Sequence, residues 1–132
     1  MLRAVWIISM LGCGAEEQST VGPGVLFEEN RTTIDAPTQA TANQPFAVKV
    51  TTWGNSCTSV DSTPTSITDD GAIIAPLDRT SILREGEFCL QNLMALVHAT
   101  SVTLTPGLKT LHIQGLTAQR QMVDVPLQVM VE

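Results

Sequence analysis

The chain has 132 residues, 43% of them hydrophobic, which is enough for one domain of ordinary size with a packed core. Its formal net charge is −6, and its 7 basic residues are scattered. Such a chain is not expected to bind nucleic acid, because that binding needs clustered Lys and Arg. Aromatic residues are few, and only Trp53 is placed to serve as a platform for sugars or bases, which counts against those classes of binding protein.

The first thirteen residues have the order of a secretory signal. Arg3 supplies a positive charge, residues 4–11 are apolar except for Ser9, and the small residue Gly12 precedes Cys13. A basic end, a short apolar run and a small residue together predict export and cleavage. The apolar run is too short to remain as a helix that spans a bilayer.

The sequence Met10-Leu11-Gly12-Cys13 resembles the lipobox of bacterial lipoproteins. The resemblance implies that residues 1–12 are a signal peptide and that Cys13 becomes the amino terminus and carries lipid, including palmitate. Because Gly14 follows the cysteine, it also implies sorting to the outer membrane, on either of its faces. The alternative is an ordinary buried helix that carries a core cysteine.

Three cysteines in an exported chain leave one without a partner. Lipidation of Cys13 accounts for the odd one, and Cys57 and Cys89 remain as an even pair. In an oxidising compartment this pair is expected to form a disulfide, which stabilises the fold by about 3–4 kcal/mol in the chain-entropy model. The alternative is two buried free thiols.

A change of pattern near residue 32 divides the exported part of the chain. Residues 13–31 are predicted to be the lipidated cysteine and a flexible tether, because residues 14–24 are small or polar and have no hydrophobic period. Val25-Leu26-Phe27 is expected to dock on the domain or to form a first edge strand. Short apolar runs between turn residues then assign the β-domain to residues 32–132.

Alternating apolar and polar residues predict the first long strand of this domain. Residues 46–53 place Phe46, Val48 and Val50 on one face, and Gly54 ends the run. Further along, Asp69-Asp70-Gly71 predicts a turn that leads into another short strand.

The second half of the domain is predicted to hold a hairpin and a closing strand. Residues 101–105 and 109–114 alternate on both sides of Pro106-Gly107, which predicts a tight hairpin. Residues 125–131 predict the closing strand, and Pro126 within it indicates an edge strand or a bulge. Residues 87–99 fit a helical turn about as well as a strand.

About seven short strands with frequent turns predict an all-β fold, an antiparallel β-sandwich. Asn43-Gln44-Pro45-Phe46 and Leu104-Thr105-Pro106-Gly107 are similar to segments of immunoglobulin-like or fibronectin-like domains in bacterial surface lipoproteins. The chain departs from the antibody pattern, since Cys57 and Cys89 are only 32 positions apart and Tyr is absent. The bridge is therefore expected to join a loop after the Phe46 strand to a later segment.

No pattern of residues predicts a metal site or a catalytic site. Cys89, Met94 and His98 lie in one short span, but a copper loop places His before Met and needs a second His from an earlier strand, and no His precedes Cys89. Neither His98 nor His112 has supporting zinc ligands. The acidic turn lacks the spacing of a calcium loop. Glu85 and Glu87 share one side of a predicted strand, which is typical of a solvated face. We therefore expect no cofactor and no enzymatic activity.

These expectations favour a membrane-anchored lipoprotein that presents its β-domain as a structural or protein-interaction module of the bacterial envelope. Its expected partners are the membrane, through the lipid, and an envelope protein. Sheets recognise partners through unpaired edges, and the closing strand offers one at Val125, Leu127, Gln128 and Val129. For this edge, the alternative is that Pro126 and Asp124 only protect it and that it binds nothing. The alternative is a small-ligand or ion-binding lipoprotein, which requires a concave pocket with convergent polar groups.

Overall fold

The computed structural model describes residues 18–132, so the predicted signal peptide and Cys13 lie outside the described residues. Within this range the chain forms thirteen strands and no helix, which confirms the all-β class. No helix long and apolar enough to cross a bilayer occurs in this part of the chain.

Four long strands form the centre of the fold, and shorter strands extend the sheets around them. Four of the thirteen strands are only two residues long, too short for alternation to predict, so the count exceeds the seven expected. The bounds are β1 Ser19–Pro23, β2 Phe27–Glu28, β3 Arg31–Thr32, β4 Ile34–Asp35, β5 Gln39–Ala40, β6 Phe46–Gly54, β7 Thr58–Ser62, β8 Thr65–Thr68, β9 Gly71–Ile74, β10 Leu77–Ser81, β11 Met94–Val102, β12 Gly107–Leu116 and β13 Met122–Val131.

Two sheets share one hydrophobic core. One has the strand order β11-β6-β4 and the other has the order β5-β13-β12-β9-β8, while β1-β10-β7 forms a third sheet and β2-β3 a short ribbon. The prediction of a wholly antiparallel fold is wrong for the larger sheet, because β9 runs parallel to β12 and β5 runs parallel to β13. Alternation within a strand does not reveal the direction of its neighbour. The core-facing residues alternate along β6 and β13, as their sequences predict. The buried residues of the core are Leu26, Val48, Val50, Ala72, Ile74, Val102, Leu104, Leu111, Ile113, Val129 and Val131.

The hairpin predicted at Pro106-Gly107 is wrong. The strand before this turn, β11, pairs with β6 along nine residues, whereas β12 pairs with β13 along ten. The connection therefore crosses from one sheet to the other. Val102 at the end of β11 and Leu104 in the connection are both buried. Gly107 has a φ of 132°, a conformation that favours glycine. Turn chemistry marks such a reversal but does not say which sheet the next strand joins.

The structure also differs from the predicted domain boundary at residue 32. Ser19–Pro23 pairs with β10 along five residues, and Leu26 is fully buried in the core. Val25 forms β-bridges to β6 and to β12, so this segment joins the two core sheets. The polar composition of residues 14–24 predicts flexibility. Composition does not reveal that the edge of β10 is free to form backbone hydrogen bonds with residues 19–23. The β-domain therefore includes β1.

The predicted strand placement of Glu85 and Glu87 is wrong. Both lie in the loop of residues 82–93 between β10 and β11, where the Arg84 N–H donates to Glu87 Oε1 at 2.6 Å and closes a turn. A turn of this kind interrupts the alternation on which the strand prediction rests. Residues 87–99, whose sequence fits a helical turn and a strand about equally well, form a loop up to residue 93 and a strand from Met94 onward.

Candidate functional site

The Cys57–Cys89 disulfide is confirmed and fixes the 82–93 loop to the domain. Cys57 lies in the turn between β6 and β7, and the two Cα atoms are 5.5 Å apart. Beside the bridge, the Leu90 N–H donates to Ser56 Oγ at 2.7 Å. As predicted, the bridge joins a loop after the Phe46 strand to a later segment.

The closing strand, β13, has one side that is open over most of its length. Its other side pairs with β12 in a regular register of ten residues. On the open side, β5 pairs only with Met130 and Val131, and no strand among residues 18–132 pairs with 122–129 there. The Met130 N–H donates to the Thr38 carbonyl at 2.9 Å on this side. Because backbone direction alternates along a strand, the other even-numbered positions of β13 face the same way.

This register determines which residues form the open edge. Val125, Leu127 and Val129 direct their backbone groups to β12 and their side chains toward the core, where Val129 is fully buried. Of the four residues predicted at the edge, Gln128 alone combines an exposed side chain with backbone groups on the open side. Pro126 faces the same side, and because proline has no N–H it leaves no unpaired donor at that position.

A chain of hydrogen bonds, one buried and two partly buried, connects β11 to the neighbouring segments and is here called the polar seam. His98 Nε2 lies 2.7 Å from Asp78 Oδ1, and His98 Nδ1 lies 2.8 Å from Thr63 Oγ1. Two residues further along β11, Thr100 Oγ1 lies 2.8 Å from Thr65 Oγ1. His98 is 1% exposed and Asp78 is 6% exposed, so the bond between these two residues joins β10 to β11 away from solvent.

An Asp–His–hydroxyl chain is also the arrangement of acyl-transfer triads. In such triads the hydroxyl must meet substrate at an open site beside donors for the oxyanion. His98 instead lies on the core-facing side of β11, and both of its ring nitrogens are engaged in bonds between segments. We therefore interpret the seam as a connection that holds β10 against the core.

A cleft of about 640 Å³ opens at the end of the domain where β6 and β12 finish. Its walls include Trp53, Asp78, Asn92 and Leu93. Two buried polar atoms in these walls, Trp53 Nε1 and Asp78 Oδ2, have no hydrogen-bond partner among residues 18–132. Both polar and apolar side chains line this cleft, and a concave pocket with convergent polar groups is typical of small-ligand sites.

Gly24 packs closely between this cleft and the polar seam. A Cβ at this position would lie 2.4 Å from Thr52 Cγ2 and 2.7 Å from Asp78 Oδ2. The Gly24 carbonyl also accepts a hydrogen bond from the Leu116 N–H at 2.8 Å. Only glycine allows this close approach, so residue 24 links the first segment of the domain to the buried carboxylate.

The seam and the cleft were missed by sequence reasoning, although one signal was present. His98 occupies the same face of β11 as Leu96 and Val102, so its position in the strand marks it as core-facing. A buried histidine requires polar partners, and Asp78 is the partner that the fold brings to it. Their separation along the chain is 20 residues, and no local pattern connects them.

The two histidines considered for a zinc site are not partners of one another. His112 lies on the outer face of β12, where its Nδ1 is 3.0 Å from Asp124 Oδ1. Asp69 and Asp70 form the predicted turn, in which the Thr68 hydroxyl donates to Asp70 Oδ1 at 2.9 Å. Among residues 18–132 there is no group of three or more His, Cys, Asp or Glu side chains that could hold a metal ion.

Comparisons of this chain with protein-family models, with curated proteins and with solved structures find no match. The geometry of the open edge, the polar seam and the cleft is therefore the basis for assigning a function.

Proposed function

We propose that this protein is a lipoprotein anchored through Cys13 to the bacterial outer membrane, and that it presents its β-domain as a protein-interaction module of the envelope. The observation that carries the proposal is the open side of β13, which β5 covers only at Met130 and Val131. An unpaired edge binds an extended segment of another protein through main-chain hydrogen bonds, and side chains beside it give specificity. The partner is an envelope protein with an exposed, extended segment.

The chemistry of the edge defines where such a segment binds. Asp124 and Gln128 direct an N–H and a carbonyl to the open side, whereas Pro126 between them directs only a carbonyl. A partner strand would continue the ladder that β5 begins and would skip one donor at Pro126. The exposed side chains of these three residues would flank it.

We further propose that the two sheets that share the core form an immunoglobulin-like sandwich. Support comes from β6 and β13, whose alternate residues are buried in the same core, one strand from each sheet. Further support comes from Val25, which forms β-bridges to β6 and to β12. Such sandwiches place variable loops and sheet edges at the surface, where binding evolves without changing the core.

In-cell photo-cross-linking tests the edge. A photoreactive amino acid at Gln128 is expected to give one specific protein adduct, and the same probe at Asp70, in the turn between β8 and β9, is expected to give none. In an affinity pull-down without the probe, Gln128→Pro removes the outward N–H and should abolish capture of that partner, whereas Gln128→Thr keeps the N–H and should retain it. Equal capture by both variants, or adducts from neither probe, would contradict binding at this edge.

Small-ligand binding is a second candidate, favoured by the cleft with its unpartnered Asp78 Oδ2 and Trp53 Nε1. Cleavage before Cys13 removes Trp6, so Trp53 becomes the sole tryptophan and its fluorescence reports on the cleft. A saturable fluorescence change with neutral sugars or amino acids, weakened by Asn92→Ala, would support a ligand site. Absence of any change with these probes would favour the interaction module.

A further inference from the structure

Large apolar side chains are concentrated on the 82–93 loop. Ile82, Leu83, Phe88, Leu90 and Leu93 are all exposed, and Phe88 is exposed to 76%. Single exposed apolar residues are common on protein surfaces, but five of them on one loop of twelve residues indicate a surface that contacts something else. The Cys57–Cys89 bridge holds the middle of this loop, so its apolar side chains extend from a fixed base.

The loop begins where the described chain begins. The Ile82 N–H donates to the Gln18 carbonyl at 2.8 Å, so residue 18 lies directly against the first apolar residue of the loop. Four residues lie between Cys13 and Gln18, so the chain takes five Cα-to-Cα steps from one to the other. Even fully extended, five steps span at most about 18 Å. A lipid on Cys13 would therefore hold this end of the domain close to the bilayer.

We propose that the 82–93 loop is a second membrane contact, which inserts Phe88, Leu90 and Leu93 into the interfacial region of the bilayer that holds the lipidated Cys13. This inference rests on the proposed lipid anchor. The occupant is a lipid surface because the exposed apolar group lies beside the point where a short anchored segment enters the domain. Stable membrane attachment commonly combines a lipid chain with a second signal, and apolar side chains at the interface can supply it.

The charge of the loop defines the kind of membrane contact. It carries Glu85 and Glu87 against Arg84, and the whole chain has a net charge of −6, so attraction to anionic headgroups is not available. Insertion would depend on burial of apolar area. The contact is therefore expected to form on neutral lipid and to be insensitive to salt.

The contact also orients the domain. Asp70 lies in the turn before β9, at the end where β12 begins, whereas the cleft and the 82–93 loop lie where β6 and β12 end. With the loop on the bilayer, the cleft lies near the membrane surface and the Asp70 turn faces away from it. The second contact thus gives the anchored domain a defined orientation.

The test uses the full lipidated protein in vesicles of neutral phosphatidylcholine. A photoreactive amino acid at Leu90 is expected to form adducts with lipid, and the same probe at Asp70 is expected to form none. The double variant Phe88→Ser/Leu93→Ser should lower the lipid adduct at Leu90 by about tenfold or more, because it removes most of the apolar area that inserts. Ile67→Ser is the matched control, since Ile67 is an exposed apolar residue of β8, 59% exposed, outside the loop.

Three results would overturn the inference. An adduct of two protein copies at Leu90 would show that the loop binds a second copy of the chain. A lipidated Cys13 with no lipid adduct at Leu90 would contradict the loop contact alone. Mass spectrometry of the amino-terminal peptide from the same preparation distinguishes these from the third result, an unmodified Cys13, which would remove the anchor and the loop contact together.

Discussion

Replacing His98 with Ala is expected to destabilise the protein far more than replacing His112 with Ala. Each histidine contacts one aspartate, His98 with Asp78 at 2.7 Å and His112 with Asp124 at 3.0 Å. The side chains of the first pair are 0% and 7% exposed, whereas those of the second are 32% and 46% exposed. The two variants therefore compare the same chemistry in a buried and in a solvated setting.

The magnitude follows from what each substitution leaves behind. His98→Ala leaves both carboxylate oxygens of Asp78 buried without a partner, because Oδ2 already has none among residues 18–132. Removing one member of a buried pair costs about 3–5 kcal/mol, a large fraction of the roughly 5–15 kcal/mol stability of a typical domain. Solvent replaces the lost partner of Asp124, so His112→Ala should cost no more than about 1 kcal/mol.

Urea unfolding at neutral pH, followed by Trp53 fluorescence with the disulfide intact, measures both variants. The slopes of the transitions should match the parent, so that the midpoints report on stability alone. Thr63→Val, which removes one hydrogen bond but leaves Asp78 paired, should fall between them at about 1–2 kcal/mol. Equal losses for His98→Ala and His112→Ala would refute the structural role of the polar seam.

Three further predictions concern Gly24, the disulfide and Asp61. Gly24→Ala should cost about 1–3 kcal/mol in thermal or urea unfolding because its Cβ would overlap Thr52 and Asp78, whereas Gly22→Ala, with nothing within 4 Å, should be close to neutral. Replacing both Cys57 and Cys89 with Ala should lower the free energy of unfolding by about 3–4 kcal/mol, and an unchanged unfolding midpoint would contradict this. Hydrogen bonds from Arg79 and then Ser62 lower the pKa of Asp61 below 3.8, so its contribution is present above that pH and is lost as pH falls through the lower folded value. Acid titration of unfolding should therefore show a weaker pH dependence for Asp61→Asn, and an identical pH profile would count against the contact.

Sequence patterns predicted the parts of the fold that are local. Alternation identified β6 and the closing strand, and the count of cysteines identified the Cys57–Cys89 pair. Pairing between distant strands was not available from these patterns. Residues 101–105 looked like half of a hairpin because Pro106-Gly107 is a turn sequence, yet the first two of these residues end β11, which pairs with β6.

The candidate site shows the same division. Pro126 indicated an edge, but the choice of Gln128 as its exposed residue depends on the hydrogen bond of Met130 to the Thr38 carbonyl, which sets the direction of every backbone group along β13. The polar seam depends on contact between β10 and β11 in the interior of the domain, and the sequence pattern of either strand alone does not predict that contact. The apolar residues of the 82–93 loop have no regular spacing, so only their exposure in the folded domain distinguishes them from core residues.

The central claim, that this β-domain is held at a membrane by lipid on Cys13, is tested most directly by replacing Cys13 with Ala in the native host. Membrane fractionation and metabolic labelling with palmitate would follow the parent and the variant. The parent protein should incorporate label and fractionate with the outer membrane, while the variant should lose the label and leave that fraction. An unlabelled parent, or a Cys13→Ala variant that stays in the outer-membrane fraction to the same extent, would contradict the lipid anchor.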